Sequence, residues 1–125
     1  MKVVGLVEDI AIIGKNRVKT KALFDTGAKT TSVDITLAAK AQLGPVIRTI
    51  RIKAASLKGR TQRPVVEAII EIKGQKFEVE VNLQDRSHMT FPVIIGRNIL
   101  AGNFLVDAKR HQELFKRYGK EIPEA

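Results

Sequence analysis

The chain of 125 residues has no cysteine, no tryptophan and a single tyrosine. Without cysteine there is no disulfide, no thiolate metal site and no cysteine nucleophile. So few rings, none interleaved with the basic residues, disfavour a protein that stacks on single-stranded nucleic acid. No apolar run approaches the roughly 18 residues of a membrane span. The early run Val3-Val4-Gly5-Leu6-Val7 is cut by Glu8 and Asp9, too soon for a secretory leader. A soluble, cytoplasmic protein is expected. Acidic residues are missing altogether between Asp34 and Glu67, a stretch that holds Lys40, Arg48, Arg51, Lys53, Lys58, Arg60 and Arg63. Together with a net charge of +9, this bias favours an anionic partner through long-range steering. A solvated basic face accounts for the same composition equally well.

What is present is mostly strand patterning. The length suits one domain that folds without staples. Val3 to Ile13 reads as a strand or a bent pair of strands, with Gly14-Lys15-Asn16 as a turn. Arg17 to Phe24 alternates polar with apolar residues and runs into Asp25-Thr26-Gly27-Ala28. Thr31-Ser32-Val33 suits a short strand, and Thr36 to Leu43 a two-turn helix stopped by Gly44-Pro45. Val46 to Ala54 alternates again, Ser56 to Arg63 reads as a polar loop, and Val65 to Ile72 and Phe77 to Leu83 read as a hairpin around Lys73-Gly74-Gln75-Lys76. Phe91 to Ile95 is a continuous apolar run, hence a strand buried on both faces. Asn98 to Ala101 suits one helical turn, Phe104-Leu105-Val106 a last strand, and His111 to Tyr118 a short helix. Strands at this spacing predict a mainly all-β chain, a small closed β-barrel with one or two short helices.

One motif carries chemistry. In Leu23-Phe24-Asp25-Thr26-Gly27-Ala28 an acidic residue ends an apolar strand, and a glycine two positions later permits close backbone approach. A carboxylate with such flanks is expected to titrate abnormally. Alone, Asp-Thr-Gly also describes an ordinary turn. A second element lies downstream, Phe91-Pro92-Val93-Ile94-Ile95-Gly96-Arg97-Asn98-Ile99-Leu100. With it the chain resembles the retropepsins, the aspartic proteases of retroviruses. In that family an apolar strand ends in Asp-Thr-Gly-Ala, and a later apolar-apolar-Gly-Arg-Asn/Asp-x-Leu strand packs beside the catalytic loop. The resemblance implies a single retropepsin-like domain over residues 1–125, with Asp25 catalytic and Thr26, Gly27 and Ala28 as its supporting loop. Ile95, Gly96 and Arg97 would pack beside that loop. Arg63-Pro64-Val65, Leu83 to Met89 and Phe104-Leu105-Val106-Asp107 further resemble a prokaryotic branch often labelled "ATP-dependent zinc protease". Some members of that branch are associated with ATP-grasp ligases that add glutamate tails to proteins. The label finds no support in the residues. There is no phosphate loop ending in Gly-Lys-Ser/Thr and no His-Glu-x-x-His, and His88 and His111 are too few and unpatterned for zinc. No cofactor and no metal is expected.

Aspartic protease chemistry needs two carboxylates sharing one proton across a water. This chain supplies one Asp-Thr-Gly, because Asp9, Asp34, Asp85 and Asp107 lack the following Thr-Gly. The expectation is therefore an aspartic endopeptidase that works as a homodimer, with Asp25 of each copy on the axis. Ser56 to Arg63 is the candidate flap tip, with Gly59 supplying flexibility. One position departs from the viral pattern. Where an acidic residue commonly pairs with the arginine of Gly-Arg-Asn, this chain has Lys29, so Arg97 must take another partner, with Asp85 and Asp107 as candidates. Lys29, Lys58, Gly59, Arg60 and Arg63 are the candidate substrate contacts, and they favour an acidic or glutamate-tailed peptide or protein. The alternative is a catalytically weak or inactive protein of the same fold that binds an anionic partner. A basic nucleic-acid binder is a third reading, disfavoured by the missing aromatics and the absence of a recognised module. No membrane partner is expected.

Overall fold

Branched apolar residues alternating with polar ones build the strands of this computed structural model, which describes residues 1–53, 60–111 and 113. In chain order they are β1 (Lys2–Val4), β2 (Val7–Ile13), β3 (Arg17–Phe24) and β4 (Thr31–Asp34). Then come α1 (Ile35–Ala41), β5 (Arg48–Lys53), β6 (Arg60–Ile72) and β7 (Gln75–Gln84). The last are β8 (Val93–Ile95), α2 (Arg97–Leu100) and β9 (Phe104–Val106). The sheet order β2-β3-β8-β4-β7-β6 closes into a barrel when β6 pairs back onto β2. Closure removes the open edges that an extended sheet would leave.

The long strand β6 makes closure possible because its two halves serve different partners. Ile69 to Ile72 pair with β2, whereas Arg60 to Val65 pair with β5. Arg60 to Arg63 are thus strand and not loop as expected. Their side chains lack apolar alternation, and pairing with β5 decides their conformation. Residues 54–59 of the expected flap tip, and all of the expected helix at 111–118 except residues 111 and 113, lie outside the described residues. The β6–β7 connection is also shorter than the pattern suggested. Ile72 pairs with Gln75, leaving only Lys73 (φ 53°) and Gly74 (φ 78°) as the turn. Two left-handed central residues match the twist of an antiparallel pair. The first expected segment is indeed bent, into β1 and β2.

Ile12, Ile70, Ile72, Val33, Val81, Val93, Ile95 and Ile99 are fully buried and fill the barrel. The Phe104 ring lies edge-on to Phe24 at 6.5 Å and tilted to Phe77 at 5.5 Å, so β9 seals one flank. β9 also pairs in parallel with β1 as a separate two-stranded sheet. The helix α1 starts where the Asp34 side chain accepts from the Thr36 and Leu37 N–H groups, a capping arrangement that satisfies orphan donors. It ends at Gln42, in the left-handed conformation, rather than at Gly44-Pro45. Among the described residues no helix is long and apolar enough to cross a membrane.

Candidate active site

The parallel strands β3 and β8 set Phe24 beside Ile95. Being parallel, they leave the barrel at the same end, so the residues that follow each of them must meet. Asp25 follows β3 and Gly96 follows β8. The Asp25 N–H donates to the Ile95 carbonyl at 2.9 Å, and the Arg97 N–H donates to the Ala28 carbonyl at 2.8 Å. The loop itself turns tightly, with the Ala28 N–H donating to the Asp25 carbonyl at 3.1 Å. The Gly27 N–H donates to Asp25 Oδ1 at 2.8 Å, a charge-assisted bond that orients the carboxylate. A Cβ on Gly27 would sit 3.1 Å from that oxygen.

Gly96 is required by the same junction. A Cβ there would lie 2.4 Å from the Thr30 carbonyl oxygen and 3.0 Å from that of Ala28. Both are backbone atoms of the loop and have no side-chain freedom to yield. The buried Thr31 hydroxyl ties the parts together, accepting from the Gly96 N–H at 3.1 Å and donating to Asn98 Oδ1 at 2.7 Å. Arg97 Nη1 donates to the Thr26 carbonyl at 3.0 Å. This corrects the expected carboxylate pairing of Arg97. Asp85 instead accepts from the Ser87 N–H and Asp107 from the Lys109 N–H. Asp85 is held below the usual carboxylate range, first by its side-chain bond with Ser87 and then by that N–H.

The structure therefore gathers Asp25, Thr26, Gly27 and Ala28 against Ile95, Gly96 and Arg97. Asp25 is half-buried, and Thr26 and Gly27 are exposed. Beyond Ala28 the chain borders an open cleft of about 780 Å³, lined by Lys29, Ile50, Arg51, Arg63, Arg86 and Ile94 among others. Of the candidate substrate contacts, Lys29 and Arg63 line this cleft. Lys58, Gly59 and the Arg60 side chain lie outside the described residues.

Sequence reasoning missed two side chains. Asn82, buried in β7, accepts from Ser32 Oγ at 2.8 Å and from Arg63 Nη1 at 3.3 Å through Oδ1. Its Nδ2 donates to Thr30 Oγ1 and to the Thr31 carbonyl, each at 3.1 Å. It thereby links β6 to the segment that follows the Asp-Thr-Gly loop. In the sequence it falls on the polar positions of the β7 alternation, with Glu78, Glu80 and Gln84, so no signal marked it. Arg86 is buried as well; its N–H donates to Asp34 Oδ1 at 2.8 Å and its Nε to the Phe91 carbonyl at 2.8 Å. Burial lowers the pKa of both Arg63 and Arg86. The Arg63 charge lowers that of Arg86 further, against an opposing pull from Asp34. Among the described residues no group of three or more His, Cys, Asp or Glu side chains gathers to hold a metal. His111 lies against Glu8, with Nε2 3.3 Å from Oε2.

No curated protein matches the chain. Solved structures do. A protein of unknown function from Legionella pneumophila aligns with a TM-score of 0.61 at 21% identity, covering 86% of this chain and 94% of its own. The EIAV protease complexed with the inhibitor HBY-793 aligns with a TM-score of 0.57 at 21% identity, covering 81% and 91%. The simian foamy virus protease gives 0.53 at 23% identity, covering 73% and 89%. At such identities these likenesses establish a retropepsin-like fold. The family described as RimB-like, retropepsin-like aspartic endopeptidase RimB, matches residues 36–116, which include β8 and the Gly96-Arg97 junction but begin beyond Asp25. With well over half of its length so matched, this chain belongs to the RimB-like family of retropepsin-like aspartic endopeptidases.

Proposed function

We propose that the protein hydrolyses peptide bonds as a homodimer, with Asp25 of each copy forming the catalytic pair, and that its substrates are acidic or glutamate-tailed. The observation that carries this reading is the state of the Asp-Thr-Gly loop. Asp25 is braced from its own chain by the Gly27 N–H and stands in an exposed loop. That is one half of the constellation the chemistry needs. In the pair, two carboxylates share one proton, because like charges a few ångströms apart do not both ionise. The ionised carboxylate takes a proton from water as its oxygen attacks the scissile carbonyl carbon. The protonated carboxyl gives its proton to the carbonyl oxygen. On collapse of the tetrahedral intermediate the C–N bond breaks as one hydroxyl gives its proton to the ionised carboxylate and the other carboxyl protonates the leaving amine, so the pair again holds one proton. Lys29 and Arg63 at the adjoining cleft support the acidic preference.

The decisive experiment compares the wild type with Asp25→Asn on acidic, glutamate-tailed and neutral peptides, from acidic to neutral pH, with the dimer followed by sedimentation equilibrium. A loss of at least about 100-fold in kcat/KM is expected in the variant, with a bell-shaped pH profile in the wild type. Equal activity in both proteins would end the aspartic protease reading. Neutral peptides cleaved as fast as acidic ones at low salt would remove the acidic preference. Lys29, where the viral pattern has an acid, favours one second reading, a non-catalytic binder of anionic partners. Tight peptide binding with no hydrolysis by the wild type would select it.

A further inference from the structure

Four cations elsewhere on the barrel sit against carboxylates, Arg17 with Glu71, Lys21 with Asp9, Arg48 with Glu80, and Lys73 with Glu8, whereas others, such as Arg97 and Arg110, bond among the described residues only to carbonyls. The cleft next to the Asp25 loop is different. Lys29, Arg63 and Arg86 border it, and among the described residues none of them forms an ion pair. Asp34 acts on the Arg86 charge, but its oxygens are taken by backbone donors, Oδ1 by the Arg86 N–H and Oδ2 by those of Thr36 and Leu37. Arg86 spends Nε on the Phe91 carbonyl and Nη1 on Gln84 Oε1 at 3.4 Å. Arg86 itself lines the cleft. Arg63 is fixed from below by Asn82, whose four hydrogen-bonding positions are all occupied. Two guanidinium groups that are partly withdrawn from water and repel one another raise the energy of the empty cleft. A single carboxylate between them relieves that repulsion and meets donors already held in place.

We propose that Arg63 and Arg86, with Lys29 at the rim, form a carboxylate-binding subsite that takes one Glu or Asp side chain of the substrate at a single position close to the scissile bond. Asn82 is a positioning residue for Arg63. The proposal rests on Asp25 being the hydrolytic centre, and it replaces a general preference for acidic peptides with a local one. A preference from net charge alone is spread over every position and fades as salt screens it. A preference from a half-buried pocket is confined to one position and resists screening.

The test uses an all-Gln octapeptide and its eight single-Glu variants, with kcat/KM measured on the full chain from about 50 to about 300 mM salt. One position is expected to favour Glu over Gln by at least about tenfold, with a ratio that largely survives added salt. In Arg63→Met that ratio falls towards one, and Arg63→Lys restores part of it. A preference spread over all positions, or a ratio untouched by Arg63→Met, overturns the proposal. If no peptide is cleaved, the same peptides are titrated into Asp25→Asn by calorimetry. Selective binding of one Glu peptide that is lost on adding Arg63→Met keeps the subsite while the hydrolytic reading falls; equal binding of the Glu and Gln peptides removes the subsite. If Arg63→Met does not fold, the Nε–H resonances of the wild-type arginines decide. Shifts at Arg63 and Arg86 with the preferred Glu peptide, and not its Gln parent, are expected, and their absence is fatal.

Discussion

The outer wall of the barrel and the wall of the cleft treat charge in opposite ways. On the outside, Arg17 and Glu71 join β3 to β6, and Arg48 and Glu80 link β5 to β7. Their hydrogen bonds hold the two glutamates below the usual carboxylate range. These pairs stand in water, where ion pairs are screened and little stability depends on them. At the cleft, Arg63 and Arg86 are drawn partly into the protein and repel one another, and a buried amide is committed to holding one of them. Outside, charge accompanies the fold. At the cleft, polar groups are built into it, and the local backbone depends on them.

This contrast predicts a ranking of stability effects, and a reversed ranking would break it. The largest belongs to the junction that carries the Asp25 loop. Gly96→Ala drives a Cβ into the Thr30 carbonyl, and urea unfolding is expected to show a loss of about 3 kcal/mol. Next is Asn82→Ala, which leaves Ser32, Thr30, the Thr31 carbonyl and Arg63 short of a partner. A loss of about 2 kcal/mol is expected by the same measurement, together with a weaker Glu-over-Gln preference that mere destabilisation does not produce. The smallest effect belongs to the outer wall. Arg17→Met and Arg48→Met are expected to change stability little at neutral pH, and what they change is pH-dependent. Glu71 and Glu80 have folded pKa values below their unfolded ones, so each pair contributes above the unfolded carboxylate range. That contribution is lost as pH falls through the folded pKa. The difference between variant and wild type should therefore vanish in acid unfolding curves, and a difference that grows towards low pH would contradict the pairing.

Much of the fold was legible because period-two alternation is a local property. Arg17 to Phe24 reads as a strand and is β3 with those bounds, and Phe104 to Val106 is β9. The reading failed where conformation is set by a distant partner. Arg60 to Arg63 have the composition of a loop, yet register with β5 makes them strand. The hairpin after β6 reads as four residues, yet two left-handed residues suffice. The same division runs through the site. Asp-Thr-Gly and Gly-Arg-Asn are each contiguous, and read together they point to the site. Asn82 looks like a solvent-facing amide until β4 and β6 are packed against it, and Arg86 until burial surrounds it.

The sequence by itself determined most of the strand segments, that only one Asp-Thr-Gly is present, and that the acids vanish from a basic stretch between Asp34 and Glu67. Those properties belong to neighbouring residues and survive without a partner. The tertiary structure alone decided that Asp25 and Gly96 share one end of the barrel, because the pairing of β3 with β8 is parallel and long-range. It alone decided that Lys29, Arg63 and Arg86 border one cleft. Lys29 precedes β4, Arg63 lies on β6 and Arg86 follows β7, and only the side-by-side placement of β4, β7 and β6 in the sheet brings three such distant cations together.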